Sequence, residues 1–344
     1  MGLKIAMVTP WGKVRCGIRT YSEALTRGLV EQDVDVYVVR LPRFGRQSTE
    51  LLQLVVDQVP VDKVDLVHIQ YESGLYQMLE GSFFSGLRKL GKPVVTTCHS
   101  VGNLRFDSIV ASNSDLVIVH NEWCRRKIQC SKENVTVVPH GCSPTETPPM
   151  DECKKMLGVD SRIPVVGYQG FISPPKGIET LIEAMHAVPN VALVIGGGWF
   201  TEGASETRYI TQLKQHSLEV LPGRCQWLGY VPENRLPFVY GSMSCLVYPS
   251  RFATASGALR MGLSHGRATI ASALPPFKEI RKAGALITFK NVKDLRRKIK
   301  RLLTDDGLRH KLEEAARKFA YKNRWEVIAQ RHLKLYEDVI EKDK

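Results

Sequence analysis

Short apolar runs of four to seven residues, rich in valine and isoleucine, recur along this chain in two separate series. In the first, KIAMV, VDVYVV, DLVHIQ, PVVTTCH, DLVIVH and VTVVP alternate with amphipathic stretches, including helices expected at about 18–32 and 83–90. Runs this short and uniformly apolar are strands buried on both faces, and strand–helix alternation leads to a parallel, doubly wound sheet. The alternation pauses at 141–149, where CSPTETPP reads as a linker. It restarts with IPVVGYQG, a helix at about 177–188, VALVIGGG, CQWLGYV, CLVYPS, ATIAS and ALITF. The expected fold class is therefore α/β, two Rossmann-like domains in tandem that face each other across a cleft. Residues 1–147 form the first and 148–323 the second, while 324–344, apolar at helical spacing, form a C-terminal helix packing back toward the first. Open parallel sheets bind ligands beyond the carboxyl ends of their strands, which makes the cleft the expected site.

Composition narrows the class. The length of 344 residues suits two cores, and 43% hydrophobic with 24% charged residues is the balance of a folded chain. The eight cysteines show no CxxC or zinc-like spacing and read as free thiols in a reducing compartment. MGLKIAMVTP reaches a strand and a turn too soon for a signal peptide, and no apolar run approaches membrane-spanning length, so a soluble cytoplasmic protein is expected. Of the net charge of +13, roughly +2 lies in residues 1–150 and the rest beyond, with a dense run KDLRRKIKR at 293–301. That run lacks interleaved aromatics and fits a solvated helix face rather than a nucleic-acid site, with weak peripheral contact to anionic lipid allowed.

Three loops have the chemistry of phosphate sites. The first follows the opening strand, where Gly12 and Gly17 let backbone approach a ligand at a helix start, unless they only make a tight turn. It is not GxGxxG, and the second strand ends in Val39-Arg40 where a dinucleotide site wants an acid, which disfavours a dehydrogenase. In the second, a strand ends at Gly170 and a proline-stiffened turn leads to Lys176 before a long helix; this lysine is a point charge for a phosphate or an exposed first-turn residue. In the third, Ala255, Ser256, Gly257 and Ala258 open a helix running to His265 with side chains small enough to leave amides bare for a diphosphate. Asp33-Val34-Asp35 matches a metal-binding DxD pattern but opens a strand, where such a pair faces solvent, and His68, His120 and His140 lack ligand spacing. No metal and no cofactor is expected.

The Gly-containing first loop, HIQYE at 68–72, TTCHS with His99, VPHG at 138–141, SPPKGIETLIEA, LGYVPENRL, and SGAL with GRATIAS together resemble family 4 of the GT-B glycosyltransferases, nearly end to end. The resemblance implies a retaining, metal-independent transfer of a hexose-type sugar from a nucleotide-diphosphate sugar to an unidentified acceptor. It places the base near Tyr230 and Val231 and the diphosphate between Lys176 and the amides at Ser256 and Gly257. His99, at a strand end facing the cleft, would contact the donor sugar or cap the strand, and Glu72 would orient the acceptor or cap a loop.

Three positions depart from the family pattern. Its two glutamates across the third loop are Ala253 and Met261 here, and its phosphate-binding arginine is Phe171. Lys176 is left to act alone or with Arg251 or Arg19, and a glutamate placed at Ala253 is expected to restore a hydroxyl contact to the donor sugar. An inactive binding protein on the same fold and a sugar-nucleotide epimerase are therefore the competing readings.

Overall fold

The computed structural model describes every residue except 1, 13–14, 43–46, 77, 129, 131–132, 199–203 and 344. The chain divides into two compact units, residues 1–141 with 325–344, and residues 142–324. Each is built on a six-stranded parallel sheet, and each apolar run named above supplies a strand.

In the first unit the strands are β1 (Lys4–Pro10), β2 (Asp35–Leu41), β3 (Leu66–Tyr71), β4 (Val94–Cys98), β5 (Leu116–Val119) and β6 (Val135–Val137), in the order β2-β1-β3-β4-β5-β6. The helices are α1 (Gly17–Val30), α2 (Thr49–Asp57), α3 (Glu80–Arg88), α4 (Leu104–Ser112) and α5 (Glu122–Lys127). Helix α2 interrupts a stretch in which no helix was expected, and α3 starts three residues before the expected one.

The second unit contributes α6 (Met150–Met156), β7 (Val165–Gln169), α7 (Ile178–His186), β8 (Ala192–Gly196), α8 (Ala204–Val220), β9 (Cys225–Gly229) and α9 (Leu236–Gly241). It continues with β10 (Cys245–Tyr248), α10 (Gly257–Ser264), β11 (Thr269–Ser272), α11 (Lys278–Lys282), β12 (Ile287–Phe289), α12 (Val292–Thr304) and α13 (Asp306–Lys322). Its strand order is β12-β11-β10-β7-β8-β9. Residues 142–147, read from sequence as the end of the first domain, fold with this unit: Ser143 N donates to Ser264 Oγ at 3.1 Å and Thr145 N to Ser264 O at 2.9 Å.

The last helix, α14 (Trp325–Asp343), belongs to the first unit. It packs on α1, and Gly28 permits the close approach, since an added Cβ there would lie 3.1 Å from both Ala329 Cβ and Trp325 O. Tyr21 and Leu25 of α1 and Ile328, Ala329 and Tyr336 of α14 join Ile5, Met7, Val95 and Ile118 in one buried layer. The opposite sheet face is closed by residues of α2 and α3, among them Leu52, Val55, Phe83 and Phe84. The cationic run of the second unit lies on α12, which buries Leu295, Ile299 and Leu302 and exposes Lys293, Arg297, Lys300 and Arg301. Asp33 and Asp35 are exposed at the opening of β2.

Candidate active site

At the carboxyl edge of the second unit's sheet, three loops are tied together. Gly170, just past β7, lies so close to α10 that an added Cβ would sit 2.8 Å from Ala258 Cβ. Two buried tyrosines brace these loops from within the core, Tyr168 Oη donating to Phe171 O at 2.6 Å and Tyr248 Oη to Ala258 O at 2.7 Å. A 3-10 turn at Pro174–Lys176 leads into Gly177, whose φ of 64° is left-handed and whose Cα faces the Pro249 carbonyl with no room for a side chain. Arg251 N donates to Pro175 O at 2.8 Å, closing the loop after β10 onto the turn that carries Lys176.

Lys176 is half-buried, and its ammonium has no hydrogen-bond or ion-pair partner among the described residues. Burial lowers its pKa below the ordinary lysine value, because desolvation penalises the charged form. Arg251 is placed beside it, but its guanidinium pairs with Glu179 at 3.3 Å, and Glu179 also accepts from Tyr209 Oη at 2.7 Å. Helix α10 is capped by Ser256, whose Oγ accepts from Leu259 N at 3.2 Å. The amides of Gly257 and Ala258 stay without partners among the described residues, and no acidic residue occupies that first turn. An unpaired cation on a turn bonded to the loop that leads to free helix-start amides suits a phosphate group. Past β9, Tyr230 is 50% exposed and Val231 buried.

The first unit carries the other expected residues at its own carboxyl edge. Gly17 opens α1 after Cys16, which makes no capping side-chain bond, and an added Cβ at Gly17 would meet nothing within 4 Å. Its glycine is therefore not demanded by packing, which leaves room for close approach of a ligand. Arg19 donates to Gly12 O at 2.9 Å and pairs with Glu23 at 3.6 Å. It belongs to a different unit from Lys176. Glu72 follows β3, half-buried, and its Oε2 accepts from Gly74 N at 2.9 Å, capping the short turn Ser73–Leu75. Burial raises its pKa despite that bond.

His99 follows β4 and belongs to a buried polar chain. Tyr336 Oη lies 2.6 Å from His68 Nδ1, and His68 Nε2 lies 2.8 Å from Thr97 Oγ1 and 3.3 Å from the Gln70 carboxamide. The other end of Gln70 is 2.9 Å from His99 Nε2, His99 Nδ1 is 3.2 Å from His120 Nε2, and His120 Nδ1 is 3.2 Å from Val138 O. Proton counting orders this chain. Val138 O only accepts, so His120 Nδ1 carries a proton; neutral His120 then accepts from His99 Nδ1–H, and neutral His99 accepts at Nε2. That requires the amide end of Gln70 toward His99 and its oxygen toward His68, the reverse of the Oε1-to-His99 placement and one that carboxamides of equal shape allow. Desolvation, followed by the neighbouring His140, lowers the His99 pKa to about 3, and His68 is also held well below its ordinary value by burial. Neutral rings are what this surrounding demands. Both ring nitrogens of His99 thus have protein partners, and a sugar contact through either one would have to replace a hydrogen bond of this chain.

Residues 150–319 match the Glycosyl transferases group 1 family. A D-inositol 3-phosphate glycosyltransferase from Corynebacterium jeikeium is 25% identical over 315 residues, covering 80% of this chain and 72% of that one. HepE from Anabaena, solved in complex with UDP and glucose, superposes with a TM-score of 0.81 at 18% identity, over 98% of this chain and all of that one. A sucrose-phosphate synthase from Thermosynechococcus elongatus gives 0.77 at 19% identity over 99% of this chain and 100% of that one. Residues 150–319 thus match a glycosyl transferases group 1 domain, and the chain has the two-sheet fold of GT-B structures.

Two of the three departures from the family pattern lie in packed surroundings. Ala253 is 7% exposed and packs in the core of the second unit, and Met261 lies against the same core. The expectation that a glutamate at Ala253 would simply restore a hydroxyl contact is corrected: a carboxylate there would enter packed apolar surroundings. Tyr336 was missed by sequence reasoning; its signal was a Tyr four residues after His332 on an otherwise apolar helix face. Gln169 was missed too, as a polar residue closing an apolar strand. Among the described residues no group of His, Cys, Asp or Glu side chains could hold a metal ion, no helix is long and apolar enough to cross a membrane, and none of the cysteines forms a disulfide.

Proposed function

We propose that this protein is a glycosyltransferase that binds a nucleotide-diphosphate sugar at the carboxyl edge of the second unit and transfers its hexose-type sugar with retention and without a metal ion. The observation that carries the reading is Lys176: a half-buried ammonium without a partner among the described residues, on a turn bonded to the loop that leads to the free amides of Gly257 and Ala258. Positive charge that desolvation makes costly is stabilised by an anion, and the leaving diphosphate gains negative charge as the glycosidic bond breaks. Tyr230 and Val231 would flank the base and Gly170 would let the donor approach the sheet edge. Uridine is the base we assign, since HepE was solved with UDP and with UDP-glucose.

In the first unit, Glu72 is proposed to orient the acceptor, its raised pKa favouring a shared proton, while Gly17 and Arg19 line the edge beside it. His99 is proposed as a residue held in one tautomer by its Nδ1 contact with His120, which Val138 O fixes in turn. Any membrane attachment would be peripheral, through the exposed cations of α12.

A panel of nucleotide sugars screened by thermal shift tests the donor, followed by transfer assays with and without chelator. A stabilising UDP-sugar and chelator-resistant turnover are expected; loss of binding in chelator that manganese or magnesium restores would overturn the metal-independent reading. The missing glutamates at Ala253 and Met261 favour a second reading, a donor-binding protein without transfer, and donor binding with neither transfer nor hydrolysis would select it.

A further inference from the structure

Gln169 closes β7 with its side chain almost wholly removed from solvent, and its Oε1 is buried without a hydrogen-bond partner among the described residues. Its Nε2 also has no partner there. A buried carboxamide oxygen left unpaired is an unusual thing, because an unsatisfied buried polar atom destabilises the fold, while the accompanying Nε2 is not fully enclosed. The room for it comes from a glycine: β7 pairs with β8 so that Gln169 lies opposite Gly196, and a Cβ on Gly196 would collide with Gln169 Oε1. The same absent Cβ would lie 3.2 Å from Val231 Cγ2. Gly196, Gln169 and Val231 therefore converge at one spot on the carboxyl edge, next to half-exposed Tyr230.

We infer that Gln169 reads the edge of the donor's nucleobase. The inference rests on the donor site proposed above and names a specificity-determining residue within it. A carboxamide presents an acceptor beside a donor, and uracil offers the complement, N3–H beside O4. Binding would satisfy Oε1 with N3–H and Nε2 with O4, giving the unpaired carboxamide two hydrogen bonds. Guanine offers the same pattern with N1–H beside O6, so GDP is the comparison that separates the two sources of this edge.

The test is a cycle of protein and ligand changes, read by calorimetry on the full chain. UDP, N3-methyl-UDP, GDP and inorganic pyrophosphate are titrated into the wild type and into Gln169→Met, which keeps the length and removes both hydrogen-bonding groups. Methylation of N3 is expected to weaken wild-type binding about tenfold, and to change binding to Gln169→Met less than twofold. Pyrophosphate, which has no base, should bind both proteins alike. Gln169→Val, a strand-favouring residue, repeats the measurement if the methionine variant does not fold. A methylation effect of unchanged size in wild type and variant overturns the inference and leaves the donor site standing. Tighter wild-type binding of GDP than of UDP moves the assignment from uracil to guanine and overturns the uracil form. A folded wild type that binds neither nucleotides nor pyrophosphate overturns the donor site and this inference together.

Discussion

Replacing Lys176 tests the donor site most directly, because the structure predicts opposite signs for the free and bound protein. The ammonium is half-buried and unpaired among the described residues, and Arg251 is engaged with Glu179. Phe171 supplies no charge in place of the family's arginine. A charged hydrogen bond to phosphate contributes about 1.5 to 3 kcal/mol, and partial exposure puts Lys176 in the lower half of that range. Lys176→Ala should thus weaken UDP-sugar binding roughly 10- to 40-fold. The free variant should melt at the same temperature or slightly higher, since removal of a desolvated, unpaired cation relieves a cost of folding. Turnover should fall further than affinity, because the diphosphate is most negative in the transition state. Calorimetry, thermal melts and single-turnover kinetics read the three effects. A folded variant whose donor affinity changes less than twofold would show that the lysine is not the counter-charge and that the site lies elsewhere.

Acid should unfold the protein in a defined window. Burial lowers His332 and His265 to about 4 and His68 well below its ordinary value, so below about pH 6.5 the unfolded chain binds protons that the folded chain refuses. Stability then rises with pH between about 4 and 6.5, by up to about 1.4 kcal/mol per pH unit for each histidine, and is indifferent to these groups above that; melts at pH 5 and 7 that coincide would refute it. Gly141→Ala should destabilise by about 1 to 3 kcal/mol, because its Cβ would overlap the Trp325 ring that anchors α14, and an unchanged melt would contradict that packing. Anionic vesicles should bind through the exposed cations of α12 at low salt and release the protein near 0.5 M salt, about where screening shortens to a few ångströms; co-sedimentation that survives this salt is the contrary result.

What the sequence by itself determined is local. Valine- and isoleucine-rich runs of strand length fix two parallel sheets, since only strands covered on both faces tolerate them, and small residues at 255–258 and Gly177 mark where backbone must come close. Lys176 and Ser256 are legible in the sequence because their chemistry depends on the turn or helix start they sit in. Only the tertiary structure decided which of these groups has a partner. Lys176 is unpaired among the described residues, while Arg251 from another loop is paired with Glu179. The tautomers of His99 and His120 and the orientation of Gln70 follow from Val138 O at one end of a chain whose other end is Tyr336, 268 residues from His68 in sequence. Gln169 reads as the end of a strand until β8 sets the bare Cα of Gly196 against it. Spacing along a chain encodes backbone conformation, but whether a buried polar atom is satisfied depends on neighbours brought by sheet order and helix packing, which local spacing does not contain.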